Sequence, residues 1–299
     1  MALLSGRKRG RALSRLATTA IAVTLLGATA GTLAQAQAAP QPSAAAPVFG
    51  LFATKATGEV YTYEPNGRGG FGDRELLADT DSRNVTASVQ VDHNRNGLTD
   101  GIYFRAAVDG SLLYSVVPET EAEAAKPETD PKRIGGGWNI YDRILSPGNL
   151  GGSTESDLLA RDKSGVLWIY TARADGSLGD RVRVGAGWDQ FTDIVGRGDL
   201  NGDGKADIVA KDKNGVLWFY KGTGNTNDPF ASRVKVGSGW NTYDTLFSTG
   251  DLDGDGRSDM LARDKTGVLW FYKGNGNQND PFASRVKIGG GWGQYNNFF

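Results

Sequence analysis

The sequence predicts an all-β fold, a five-bladed β-propeller of four-stranded blades, on three observations. First, an apolar-aromatic run recurs five times, as GEVYTY from Gly58, GSLLY from Gly110, GVLWIY from Gly165, and GVLWFY from Gly215 and Gly267. A Gly-Trp pair recurs beside it at Trp138, Trp188, Trp240 and Trp292, so both series repeat about every 50 residues. A fixed period of that length is the signature of a propeller or solenoid. Second, each unit reads as short strands and turns, with no helical period held over three turns. Third, the two ends are complementary. The segment from Val48 aligns with the later part of a repeat, and the C-terminal GWGQYNNFF stops where the next part would begin. Pairing of residues 295–299 with the strand near residues 49–53 closes a ring with no open end; an open array, or a ring closed by dimerisation, is the alternative.

Taken in order, the chain opens with a targeting segment. Arg7, Lys8, Arg9, Arg11 and Arg15 precede an apolar stretch over residues 16–33, and two A-x-A sites follow, at 34–36 and 36–38. Residues 1–38 therefore read as a secretory signal peptide, which predicts a secreted, extracellular protein. Residues 39–47 (APQPSAAAP) are a linker by composition, and residues 48–299 form the propeller domain. Removing the signal takes five basic residues and no acid from 33 Lys+Arg and 34 Asp+Glu, leaving a net charge of −6. That balance disfavours nucleic acid as a partner, and no later stretch is long enough for membrane insertion. With no cysteine, disulfides and thiolate chemistry are excluded.

Within the unit from Tyr243, YDTLFST, DMLARD, VLWFYK and RVKIG read as four strands, with a tight Lys265-Thr266-Gly267 hairpin between the second and third. Residues 119–133 (ETEAEAAKPETDPKR) are read as an insertion between the third and fourth strands of one unit. In the loops 222–232 and 274–284, Phe230 and Phe282 are expected to pack back on their blades.

The sharpest chemical signal is the nine-residue stretch 251–259, DLDGDGRSD. Asp251, Asp253, Asp255 and Asp259 place oxygen side chains at positions 1, 3, 5 and 9, and Arg257 at position 7 offers its carbonyl. A tight loop of alternating oxygens suits calcium, which takes six to eight hard oxygen ligands. Residues 199–207 repeat it with Asp199, Asn201, Asp203, Lys205 and Asp207. Gly256 and Gly204 permit the turn at position 6. Position 12 is alanine in both, so an EF-hand is excluded and a strand follows. A weaker copy at 92–100 keeps Asp92, Asn94, Asn96, Leu98 (by its carbonyl) and Asp100; fewer carboxylates predict weaker binding. At 149–157 only Asn149, Ser153 and Asp157 survive, and no ion is expected there. The bland alternative is a set of Asx-rich turns.

These residues resemble the FG-GAP/VCBS repeat family, the calcium-loop propellers also found in integrin α-chain heads. The GxLWxY and GxGW elements resemble tachylectin-like five-bladed propellers, which bind sugars. The first resemblance implies that the calcium loop joins the first and second strands of a blade. By that phase blades start near Asn84, Tyr141, Phe191 and Tyr243, with a closing blade built from 295–299 and 48–79.

Two readings attach to the Gly-Trp residues. Trp138, Trp188, Trp240 and Trp292 are either wedges between blades or platforms for sugar rings, as the lectin resemblance implies. Asp81 falls in the matching place of the first repeat, which favours a partly exposed ring; Trp168, Trp218 and Trp270, mid-strand, read as core. No nucleophile elbow, HExxH or P-loop is present, and the single histidine, His93, reads as a solvated loop residue. No catalytic residue is assigned. The expected function is thus a calcium-binding adhesion module, not an enzyme, with carbohydrate or cell-surface glycan as the leading partner. The alternatives are a secreted hydrolase built on a propeller and a propeller with a protein partner or a structural role.

Overall fold

The computed structural model describes residues 46–77, 81–119 and 130–299; the signal segment, nearly all of the linker and residues 120–129 of the insertion lie outside them. Five antiparallel four-stranded sheets make the propeller. The second blade holds β4 (Val85–Val91), β5 (Gly101–Ala106), β6 (Leu112–Val116) and β7 (Lys132–Gly135). The third holds β8 (Tyr141–Gly148), β9 (Asp157–Asp162), β10 (Leu167–Ala172) and β11 (Leu178–Gly185). The fourth holds β12 (Phe191–Val195), β13 (Ile208–Asp212), β14 (Leu217–Tyr220) and β15 (Val234–Gly237). The fifth holds β16 (Tyr243–Gly250), β17 (Asp259–Asp264), β18 (Leu269–Tyr272) and β19 (Val286–Gly289).

Both termini build the first blade, in the order β20 (Asn297–Phe298), β1 (Leu51–Thr54), β2 (Val60–Pro65), β3 (Phe71–Leu76). Ala53 pairs with Phe298 and Thr54 with Asn297. Phe52 and Phe299 exchange backbone hydrogen bonds of 2.9 and 3.0 Å, and their rings stack at 5.1 Å. The expected closure is the observed one. Ahead of β1, Val48 bridges to Gly250 of β16, where φ is +95° and a side chain would strike the Pro47 carbonyl.

The D-x-x-G motif explains the sharp turn between second and third strands in the third, fourth and fifth blades. Asp162 Oδ1 accepts the amides of Ser164 and Val166, while Oδ2 accepts the indole N–H of Trp168 at 2.9 Å. Asp212 with Trp218 and Asp264 with Trp270 repeat this. These mid-strand tryptophans were expected in the core. They are only half-buried, because each lies on the face of its strand that meets a fourth-strand arginine: Arg181, Arg233 and Arg285 sit 4.1–4.2 Å over their rings.

The Gly-Trp tryptophans take the opposite role. Each opens a single 3-10 turn after a left-handed glycine and ends up only 5–9% exposed. Each ring packs on a tyrosine from the third strand of the next blade, at 4.7–4.9 Å between centroids: Trp138 on Tyr170, Trp188 on Tyr220, Trp240 on Tyr272 and Trp292 on Tyr63. A second-strand cation then clamps the same turn. Arg161 Nη1 donates to the Trp188 and Phe191 carbonyls, Arg263 Nη1 to those of Trp292 and Tyr295, and Arg105 Nη1 to those of Trp138 and Tyr141. Lys211 does so once, at the Tyr243 carbonyl. Phe230 and Phe282 close the outer side against these aromatic pairs, as expected.

Candidate functional site

The acidic loops lie between first and second strands, at one end of the ring. In the loop 251–259, Asp251 folds the backbone around itself. Its Oδ1 accepts the amide of Gly254 at 2.7 Å, and its Oδ2 that of Gly256 at 2.7 Å. Carboxylate oxygens of Asp251, Asp253 and Asp259 come within 4.8 Å of one another, a cage of ionic size. Burial, with Asp253 and Asp251 nearby, pushes Asp259 up to about 7 despite amide bonds from Gly274 and Leu252. Asp207 is pushed up to about 7 in the same way, by burial and by Asp199 and Asp203. Such crowding calls for a cation. Lys273 answers part of it, its Nζ lying 2.5 Å from Asp253 and 2.9 Å from Asp255; Lys221 reaches Asp203 at 2.9 Å. The donor set therefore fits a hard divalent ion such as calcium.

Third-strand lysines were missed from the sequence because only the fold brings that strand's end over the loop. Glu119 was missed for the same reason. In the weak loop 92–100, Asn94 Nδ2 and Asn96 Nδ2 donate to the two Glu119 oxygens at 2.5 and 2.8 Å. Asp92 and Asp100 bind loop amides. A carboxylate from beyond β6 thus caps this loop through its two asparagine amides. In the loop 149–157, Asn149 and Asp157 are taken up by hydrogen bonds within the chain: Asn149 with Gly151 and Ser153, Asp157 with Leu150 and Ala172. His93 is not solvated, as had been expected. It is buried against Tyr103 and Tyr114 with its Nδ1 unpartnered, and burial lowers its pKa to about 4, so it is neutral.

The opposite end carries the tryptophan turns, and one junction there differs from the other four. Between the closing blade and the second blade, the turn is Ser82–Asn84, capped by Asp81. β4 is one residue shorter than β16, so Ser82, not Asp81, stands in the tryptophan's place. The exposed ring inferred from Asp81 therefore rested on a shifted register. Strand alignment puts Ser115 where Tyr170 stands in β10, and Thr54 where Arg161 stands in β9. Wedge, partner ring and clamp are all replaced by small hydroxyl residues at one seam. The space left is a cavity of about 280 Å³, lined by Thr54, Ser82, Ser88, Phe104, Asn297 and Phe299 among others. Ser82, Ser88 and Asn297 have side chains with no partner among the described residues. The two acids on its wall, Asp81 and Asp142, are held by Arg83 and Arg161.

Trp138, Trp188, Trp240 and Trp292 do not line this cavity, and their burial leaves no open ring face. A binding role as exposed platforms is corrected to one of wedges. Residue spacing could not reveal this, since a recurring tryptophan has the same period whether it faces water or a neighbouring blade.

Residues 199–262 match the model of the FG-GAP-like repeat. No curated protein matches the chain. Among solved structures, a lectin from Burkholderia pseudomallei is 14% identical, with 82% of this chain and 70% of that chain covered and a TM-score of 0.42. An engineered GH43 glycoside hydrolase is 11% identical, with 86% and 55% covered and a TM-score of 0.43. The Nup133 β-propeller domain of Vanderwaltozyma polyspora is 13% identical, with 84% and 75% covered and a TM-score of 0.40. At that distance the likenesses say nothing of ligand or reaction.

Proposed function

We propose that this five-bladed propeller, which carries an FG-GAP-like repeat, is a secreted, calcium-stabilised binding module whose ligand is a carbohydrate held at the irregular seam. The observation that carries this reading is the replacement of clamp and wedge by Thr54 and Ser82, both on the wall of a cavity, where the four other junctions hold a tryptophan. Its wall combines the Phe104 and Phe299 rings with free hydroxyls and an amide, the mixture of flat apolar surface and hydrogen-bonding groups that a pyranose matches. Binding is favoured over hydrolysis because Asp81 and Asp142 are both committed to arginines, and glycosidic cleavage needs a carboxyl pair free to exchange protons. The calcium part rests on the donor set of residues 251–259 and on its repetition in the sequence of residues 199–207. Secretion rests on the basic, apolar and A-x-A succession of residues 1–38.

The test is to put the wedge back. Ser82→Trp should fill the cavity and abolish glycan binding while the melting temperature holds or rises. A glycan array probed with the parent and variant proteins, each in calcium and in chelator, reads this directly. Equal glycan binding by parent and variant would sink the assignment to this cavity.

A further inference from the structure

A second cavity, of about 380 Å³, lies at the other mouth of the central channel, among the acidic-loop ends. Arg197 reaches into it from the end of β12. Its Nη1 donates to the Gln90 carbonyl at 2.8 Å and its Nε to the Ser248 carbonyl at 3.2 Å, so it spans three blades, and the guanidinium lies 4.5 Å over the Phe49 ring. Neutral carbonyls and a ring are all it meets. The two acids on the cavity wall are turned to their own loops: Asp92 accepts the amides of Asn96 and Gly97, and Asp199 those of Asn201, Gly202 and Gly204. At the rim stands Arg95, the one non-glycine residue with positive φ among the described residues, at +63°; its backbone N–H is bonded to Asp92, and its side chain has no partner among them. Lys205 adds a third cation, its Nζ on the Thr223 carbonyl.

A half-buried cation without a counter-charge attracts an anion, and a planar guanidinium with donors to spare is suited to a carboxylate or a tetrahedral oxyanion. The geometry points to an anion site here: Arg197, backed by Arg95, receives the oxyanion group of a small acidic ligand at the acidic-loop mouth of the channel. The site is on the opposite face from the seam cavity and stands whether or not that cavity takes sugar.

Calorimetric titration of the calcium-loaded protein with sodium sulfate, against sodium chloride at matched ionic strength, tests it. Glucuronate against glucose forms a second arm and separates carboxylate from sulfate recognition. Saturable binding in either arm is expected. Arg197→Lys should weaken it about tenfold or more, since it keeps the charge and loses the fork. Arg95→Ala, at the exposed rim, should weaken it by about two- to fivefold. No saturable binding of either anion, or equal binding by both variants, would overturn the site. Should the Arg197 variant fail to fold, crystals soaked in selenate decide: an anomalous peak within hydrogen-bonding distance of the Arg197 guanidinium supports the site, and its absence there rejects it.

Discussion

Replacing Trp240 by alanine separates a wedge from a platform. The ring is 9% exposed and packs on Tyr272 at 4.8 Å, on Tyr243 at 5.6 Å and on Phe282 at 6.5 Å. Truncation to alanine removes most of a buried indole, and rigid β-sheets on both sides limit collapse into the gap. Buried aromatic truncations cost about 3–5 kcal/mol, with roughly 24 cal/mol for each Å³ of cavity that persists. A residual void of about 100 Å³ would account for about 2.4 kcal/mol of that, the rest being lost transfer energy and ring contacts. For a domain near 250 residues each kcal/mol moves the midpoint by about 2–4 °C, so the expected fall is about 6–20 °C. Urea melts give the free energy, and glycan binding is measured on the same preparation below the new midpoint. The wedge predicts a large loss of stability with ligand binding retained. A loss under about 1 kcal/mol, with binding abolished, would refute it.

The metal loops, the ring closure and a buried acid are checked by separate measurements. Millimolar calcium should raise the thermal midpoint over that in chelator, by about 2.7 kcal/mol per site at one hundred times Kd, and Asp251→Ala with Asp253→Ala should remove one calcium from the stoichiometry; equal midpoints would count against the sites. Deleting residues 295–299 should expose the edge of β1 and bring aggregation or loss of cooperative unfolding, and a monomeric, cooperatively folded truncation would contradict the closure. Asp157, fully buried, is raised by burial from its ordinary 3.8 to about 7. Its contribution is full below about pH 4 and is lost as pH rises through about 7, so in chelator Asp157→Asn should flatten the fall in stability across that window by up to about 1.4 kcal/mol per pH unit. Urea melts at several pH values read the slope, and an unchanged slope would dispose of the assignment.

How much the sequence disclosed follows from the range over which each signal acts. The period, the strand content and the two strong acidic loops are local, and all were legible in runs such as GVLWFY and DLDGDGRSD. The face that a side chain turns to its neighbours is not local. Trp270 and Trp240 exchanged roles because a repeat fixes position along the chain but not which ring meets an arginine and which meets the next blade. Ser82 was hidden by a single residue missing from β4, since placing Asp81 by the period of the repeat carried the register past the deletion. Lys273 and Glu119 act on loops about 20 residues upstream, and only the returning third strand brings them there.

The strand shared by the two termini has a consequence for how the chain reaches this state. Ala53 and Phe298 are 245 positions apart, yet they are neighbours on adjacent strands. Blades two to five can form from contiguous sequence as it emerges, but the first cannot be finished until residues 297–299 have emerged. Until then β1 to β3 wait as a three-stranded sheet beside an unfilled edge. Closing so long a loop costs only logarithmically more than closing a short one, so the delay lies in the order of events more than in the free energy. A pairing that forms after the folding transition state is felt in the rate of opening. The β1–β20 pairs, with the two Phe52–Phe299 hydrogen bonds, then govern how long a completed ring persists.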